Sequence, residues 1–102
     1  MRRWALERKL SKVRTRLVRA RQQLAILNEQ LVAYDDDADD TRIRSLVSDS
    51  PEAAHDHTDA SRHANAAGRS RTALLSTINE LEQAQDDLLD RLVSTSNVTK
   101  PA

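Results

Sequence analysis

The sequence contains no cysteine, one glycine and two prolines, and its only aromatic residues are Trp4 and Tyr34. Without cysteine there is no disulfide framework, no thiolate-bound zinc and no thiol catalysis. A single glycine, Gly68, and one internal proline, Pro51, are too few for the turns of a barrel, a sandwich or a βαβ array. No apolar run approaches the ~18 residues of a membrane span, and charges interrupt the region where a signal peptide would be apolar. We therefore expect an all-α, cytoplasmic protein with no membrane span.

Apolar residues in the first third of the chain follow a heptad spacing. Their separations alternate between four and three residues, and the members are Leu6, Leu10, Val13, Leu17, Ala20, Leu24, Leu27, Leu31, Tyr34 and Ala38. This pattern predicts a long helix with a coiled-coil seam. Val18, Ala25, Ile26 and Val32 lie beside that seam and widen the apolar stripe, which favours packing against further helices.

The same spacing recurs in the second half with smaller side chains. Its positions are Ala53, His57, Ala60, Ala64, Ala67, Arg71, Leu74, Ile78, Leu81, Gln85, Leu88 and Leu92. Ahead of it, Ser50 can cap a helix, Pro51 suits the first helical position and Glu52 favours the positive end of the helix dipole. The sequence therefore predicts an antiparallel two-helix coiled-coil hairpin, with dimerisation into a four-helix bundle as one way to bury the wider stripe.

The predicted hairpin occupies residues 1–93. Helix one covers about 3–34 or 3–47, because the consecutive aspartates after Tyr34 are poor helix formers while Ile43, Leu46 and Val47 resemble a helical turn. The turn is expected at about 48–50 and helix two at about 51–93. Residues 94–102 lack periodicity and are expected to form a disordered tail.

Charge is unevenly distributed along the chain, although 16 basic residues balance 16 acidic ones. Residues 1–21 contain nine basic residues and one acidic residue, whereas residues 29–59 contain ten acidic and two basic residues. A fold-back at residue 49 would set Arg8–Arg21 beside acidic residues of helix two, namely Glu80, Glu82, Asp86, Asp87 and Asp90. This pairing supports the antiparallel arrangement.

The candidate partner-binding residues are of three kinds, basic or aromatic, apolar, and acidic. They are Arg2, Arg3, Trp4, Arg8, Lys12, Arg16, Val18, Ile26, Asp35, Asp36, Asp37, Asp39 and Asp40. We call residues 2–21 the basic segment and Asp35–Asp40 the acidic run. The basic segment suits nucleic acid or a ribonucleoprotein, an acidic protein or an anionic membrane surface, and also pairing within the chain. Trp4 is expected to pack as a cap at the open end of the hairpin.

Metal and catalytic sites are not predicted. The acidic run lacks the spacing and the glycine of an EF-hand, so a solvated face or a partner-binding patch is favoured over a metal site. His55, Asp59 and His63 follow one helical face, where an exposed polar stripe is favoured over metal ligation. His57 falls in the seam and is interpreted as a polar group that sets register. No nucleophile turn or nucleotide loop is present, so we expect no enzyme activity, no cofactor and no small-molecule substrate.

The predicted function is that of a small interaction protein, an adaptor or regulator that docks on a larger assembly through its charged ends or associates with itself. A purely structural homodimer is one alternative. Another follows from the acidic run: in shape and charge the hairpin is similar to that of Gre-type transcript-cleavage factors. That resemblance implies an acidic tip that enters the RNA polymerase secondary channel and helps hold Mg²⁺. It requires helix one to end near Tyr34, which would place Asp35–Asp40 at the bend.

Overall fold

The computed structural model describes the backbone of residues 2–99 and the side chains of residues 2–96. Two helices account for almost all of this chain: α1 spans Arg2–Ser48 and α2 spans Pro51–Thr99. Asp49 and Ser50 join them, and residues 2–99 contain no strand. The all-α antiparallel two-helix hairpin is thereby confirmed, whereas its dimerisation stays a prediction.

The heptad seam is where the two helices meet. Every predicted seam residue of both helices is buried or half-buried, except Tyr34, which is 37% exposed. The buried apolar residues of the described chain are all seam members, namely Leu17, Ala20, Ala60, Ala67, Ile78 and Leu88. The alternating separations of three and four residues therefore identified the contact face of each helix.

The contacts between the helices divide the chain into two units. The first unit pairs the part of α1 up to Gln22 with the part of α2 from Leu75 onward, and the second unit is Gln23–Leu74. Large side chains such as Leu17 and Leu88 fill the seam of the first unit. In the second unit, alanines and Thr41 are the buried seam residues.

The connection has the capping chemistry that its sequence predicts. Asp49 adopts a left-handed backbone conformation with φ of 48°, and its amide donates to the Ser45 carbonyl at 3.4 Å. The Ser50 hydroxyl oxygen accepts a hydrogen bond from the Ala53 amide at 3.2 Å. This bond satisfies one of the backbone amides at the start of α2 that have no acceptor within the helix. Pro51 is the first residue of α2, where its lack of an N–H group costs no hydrogen bond.

The acidic run does not end α1, which continues to Ser48. Thr41 shows why. The seam extends past Ala38 to Thr41, which is only 5% exposed, and the Thr41 hydroxyl donates to the Asp37 carbonyl at 2.8 Å. Because the aspartates lie outside the seam and stay exposed, packing of the seam outweighs their weak helix propensity.

The predicted disordered tail requires a correction. α2 extends through residues 94–99, where the Thr95 hydroxyl donates to the Arg91 carbonyl at 2.9 Å. Arg3 of α1 also donates to the Ser96 hydroxyl oxygen at 3.3 Å, which links the two helices beyond the last leucine of the seam. These side-chain bonds carry no periodic apolar signal, so the heptad pattern could not reveal them. Residues 100–102 of the predicted tail lie outside the described residues.

Candidate interaction surfaces

The basic segment projects its nine cationic side chains into solvent. Arg3 pairs with Glu7 on the same helix at 3.1 Å, and Arg21 pairs with Glu82 of α2 at 3.9 Å. The other seven have no carboxylate oxygen within 4 Å among the described side chains; they are Arg2, Arg8, Lys9, Lys12, Arg14, Arg16 and Arg19. The expected pairing with α2 is thus seen at Arg21–Glu82, and most of the positive charge remains available to another molecule.

Trp4 lies on the outer side of α1, and its side chain is 63% exposed. The guanidinium carbon of Arg8, one turn further along, lies 5.5 Å from the centre of the indole ring, within the range of a cation–π contact. The expectation that Trp4 caps the seam is therefore wrong. Trp4 precedes the first seam residue, Leu6, by two positions, and this offset turns its side chain about 200° around the helix from Leu6.

The acidic run is likewise exposed. None of its five carboxylates lies within 4 Å of a cationic nitrogen of a described side chain. Asp40 precedes the end of α1 at Ser48 by eight residues, which corresponds to about 12 Å along the helix. The run therefore flanks the body of α1 and does not occupy the bend at Asp49–Ser50.

The polar residues of α2 do not assemble a metal site. His55 Nε2 lies 3.2 Å from Asp59 Oδ2 on the neighbouring turn. His63 is directed to α1 instead, where its ring centre lies 6.1 Å from that of Tyr34. Within the part of the chain that the structure describes, no three His, Asp or Glu side chains are grouped closely enough to hold a metal ion.

His57 occupies the seam position that the sequence predicted. Its Nδ1 has less than 1 Å² of exposed surface and has no hydrogen-bond partner among the described residues. A buried ring nitrogen without a partner is costly, because folding removes it from water without replacing the lost hydrogen bond. This nitrogen therefore weakens the seam of the second unit.

Apolar side chains on the outer side of α1 form a further surface. Val18 is 53%, Ile26 56% and Val32 62% exposed, although each is a large aliphatic residue on a well-formed helix. Around Val18 the surface is concave: an open groove of about 580 Å³ runs along α1, and residues including Glu7, Ser11 and Arg14 line it. The apolar stripe that the sequence predicted beside the seam is thus not covered by the hairpin itself.

Two features of the seam were not predicted from the sequence. The heptad continues beyond Ala38 through Thr41 and Ser45, which are buried and half-buried; extending the count by three and then four residues would have found them. In addition, the half-buried Arg71 donates from Nε to the side-chain oxygen of Asn28 at 2.7 Å, so a long polar residue is accommodated at a seam position. Nothing in the sequence indicated that particular pairing.

No family model matches this chain, and no match was found among curated proteins or solved structures. Neither described helix is both long and apolar enough to cross a membrane. Functional inference therefore depends on the charges and exposed surfaces described above.

Proposed function

We propose that this protein is a non-enzymatic interaction module of the cytoplasm, an adaptor or regulator that docks on a larger assembly through oppositely charged segments of α1. The observation behind this proposal is that most charges of α1 have no ion-pair partner. Seven cations of the basic segment and all five aspartates of the acidic run lack an ion-pair partner among the described side chains. Clusters of like charge steer association and orient a partner.

The helical hairpin supports this role mechanically. The exposed charges lie on the continuous helix α1, whose regular rise sets their spacing. The basic segment carries its charge on successive turns, a geometry that matches an acidic helix or strand better than a single small anion. We take an acidic protein surface as its partner. The phosphates of nucleic acid or a ribonucleoprotein are also extended anions, and the experiment distinguishes these ligands.

The resemblance to Gre-type hairpins gains no support from this geometry. It needs carboxylates at the bend, whereas Asp40 lies eight residues before the end of α1. A catalytic role also lacks support, because the grooves found along the described residues, such as the one around Val18, are open to solvent and do not enclose a substrate.

Affinity capture with charge-matched variants tests the proposal. The tagged chain is exposed to lysate of its own cells and washed at low and at about 0.5 M salt, which shortens the range of charge interactions to a few ångströms. One variant replaces Arg8, Lys12 and Arg16 by glutamine. The control replaces the same number of exposed arginines elsewhere, Arg44, Arg62 and Arg69, so both variants have equal net charge.

We expect the wild type and the control to retain the same assembly and the variant of the basic segment to lose it. Release of the assembly by the high-salt wash would agree with a charge-driven contact. Loss of the assembly after nuclease treatment would identify nucleic acid as the ligand of the basic segment. Equal retention by both variants, or no retained assembly at low salt, would contradict docking through these charges.

A further inference from the structure

We infer that the groove on the basic half of α1 binds the acidic half of α1 from a second copy of this chain, giving a two-fold antiparallel dimer. This inference rests on the proposed function, since it names a partner for the same charged segments. The occupant is the stretch of α1 around Val32 and Asp35, and by symmetry each copy both provides and fills one groove.

The first observation is a column of exposed residues on α1, spaced seven residues apart. Every seventh residue from Trp4 lies on a line at a constant angle from the heptad seam, because the seam also repeats every seven residues. The members of this column are Trp4, Ser11, Val18, Ala25, Val32, Asp39 and Leu46, and all are exposed. Because the heptad seam turns away from this line, the column is free to meet another helix.

Antiparallel pairing about Ala25 matches the column to itself. With Ala25 opposite Ala25 of the second copy, Val18 meets Val32 and Trp4 meets Leu46, so these layers join apolar to apolar side chains. Ser11 meets Asp39 in the remaining layer, where the hydroxyl can donate to the carboxylate. Alanine at the centre permits a close approach of the two helix backbones. A column that is complementary to its own reverse is what a two-fold interface requires.

The charges beside the column agree with the same register. In an antiparallel pair, each flank of one helix faces the same flank of the other. One turn before Val18 this sets Arg14 against Asp35 of the second copy, and near the end of the pair it sets Glu7 against Arg42. A parallel pair would instead place the basic segment, with nine cations and one anion between residues 1 and 21, beside its own copy.

The absence of cysteine from the chain allows a direct test of the register. Ala25→Cys places a single thiol at the proposed two-fold axis, where it would face its own copy within disulfide distance. Ala66→Cys is the matched control, an exposed alanine on α2. Under mild oxidation we expect Ala25→Cys to become a covalent dimer rapidly and Ala66→Cys to remain a monomer.

A charge swap tests the flank. Arg14→Glu should weaken the dimer by roughly tenfold, because symmetry turns two attractive surface pairs into two repulsive ones. The double variant Arg14→Glu with Asp35→Arg should restore the wild-type dissociation constant. Sedimentation equilibrium measures both, and circular dichroism confirms that each variant remains helical. Arg69→Glu is the control for the same change of two units in net charge.

The inference is overturned if the wild type sediments as a monomer at high micromolar concentration, or if Ala25→Cys and Ala66→Cys cross-link at the same rate. It is also overturned if the double variant is no tighter than Arg14→Glu alone. A monomer that still retains an assembly through its basic segment would refute the dimer while leaving the proposed function intact, so the two failures are distinguishable.

Discussion

Replacing His57 by leucine is expected to stabilise the hairpin. The His57 Nδ1 is buried with less than 1 Å² exposed and has no partner among the described residues, so folding removes it from water without compensation. Such a nitrogen costs about 1–3 kcal/mol, and since the residue as a whole is half-buried, we expect a gain near the lower end, about 1–2 kcal/mol. A gain is a demanding prediction, because point substitutions usually destabilise proteins.

The control is the same substitution two residues earlier, His55→Leu, on the exposed side of α2. Both variants gain the same helix propensity from leucine, so this contribution cancels in their difference. His55 is exposed and pairs with Asp59 at 3.2 Å, and an exposed pair of this kind contributes at most about 0.5 kcal/mol. The difference between the two variants therefore reports what the seam position adds, which is removal of the buried nitrogen together with burial of the leucine side chain.

Urea unfolding followed by helical circular dichroism measures both variants. We expect a higher midpoint for His57→Leu than for the wild type, with an unchanged slope. In thermal unfolding the same gain corresponds to roughly 4–8 °C per kcal/mol for a chain of this size. A His57→Leu protein no more stable than His55→Leu would show that the Nδ1 is satisfied in solution and would refute the reasoning.

Three further substitutions address the seam and the turn, each measured by urea unfolding. Leu17→Ala should cost about 2–4 kcal/mol, since Leu17 is 2% exposed, whereas Leu89→Ala, with Leu89 44% exposed, should cost less than half as much; equal costs would contradict the seam assignment. Asp49→Gly should stabilise by about 0.5 kcal/mol, because glycine adopts the observed φ of 48° without strain. Ser50→Ala should cost about 1 kcal/mol by removing the cap of α2, and Ser48→Ala, without such a bond, should leave stability nearly unchanged.

The regular parts of the fold could be predicted because a coiled coil encodes its contacts in local spacing. The separations of three and four residues located the α1 seam from Leu6 to Ala38, and the Ser50–Pro51–Glu52 signal located the start of α2. Thr41 and Ser45 were missed because polar side chains carry no apolar signal, although their seam position buries them. The sequence left two possible ends for helix one, near residue 34 and near residue 47. The longer helix forms because packing of the seam outweighs the weak helix propensity of the aspartates, and local propensity alone does not decide that competition.

The candidate site was less predictable, for a related reason. Composition identified the basic segment and the acidic run, but whether those charges pair within the chain depends on side-chain distances. The antiparallel arrangement predicted several ion pairs between the helices. Among the described side chains, the one that forms is Arg21–Glu82, at 3.9 Å. Which charges face each other is set by the residues that lie on either side of the seam. The heptad pattern identifies only the seam residues, so it does not predict these ion pairs.

Seam composition differs between the two units in a way that bears on function. In the first unit, leucines and isoleucine such as Leu17, Ile78 and Leu88 bury large side chains, and burial of each is worth about 1.5–3 kcal/mol. In the second unit the buried seam residues are alanines and Thr41, and leucines such as Leu24 and Leu31 are only half-buried. The unpartnered His57 nitrogen lowers the stability of this seam further. Low local stability is typical of segments that bind partners. The unit that carries the acidic run is therefore the one whose folding would gain most from a basic partner, because binding to the folded form adds directly to its stability.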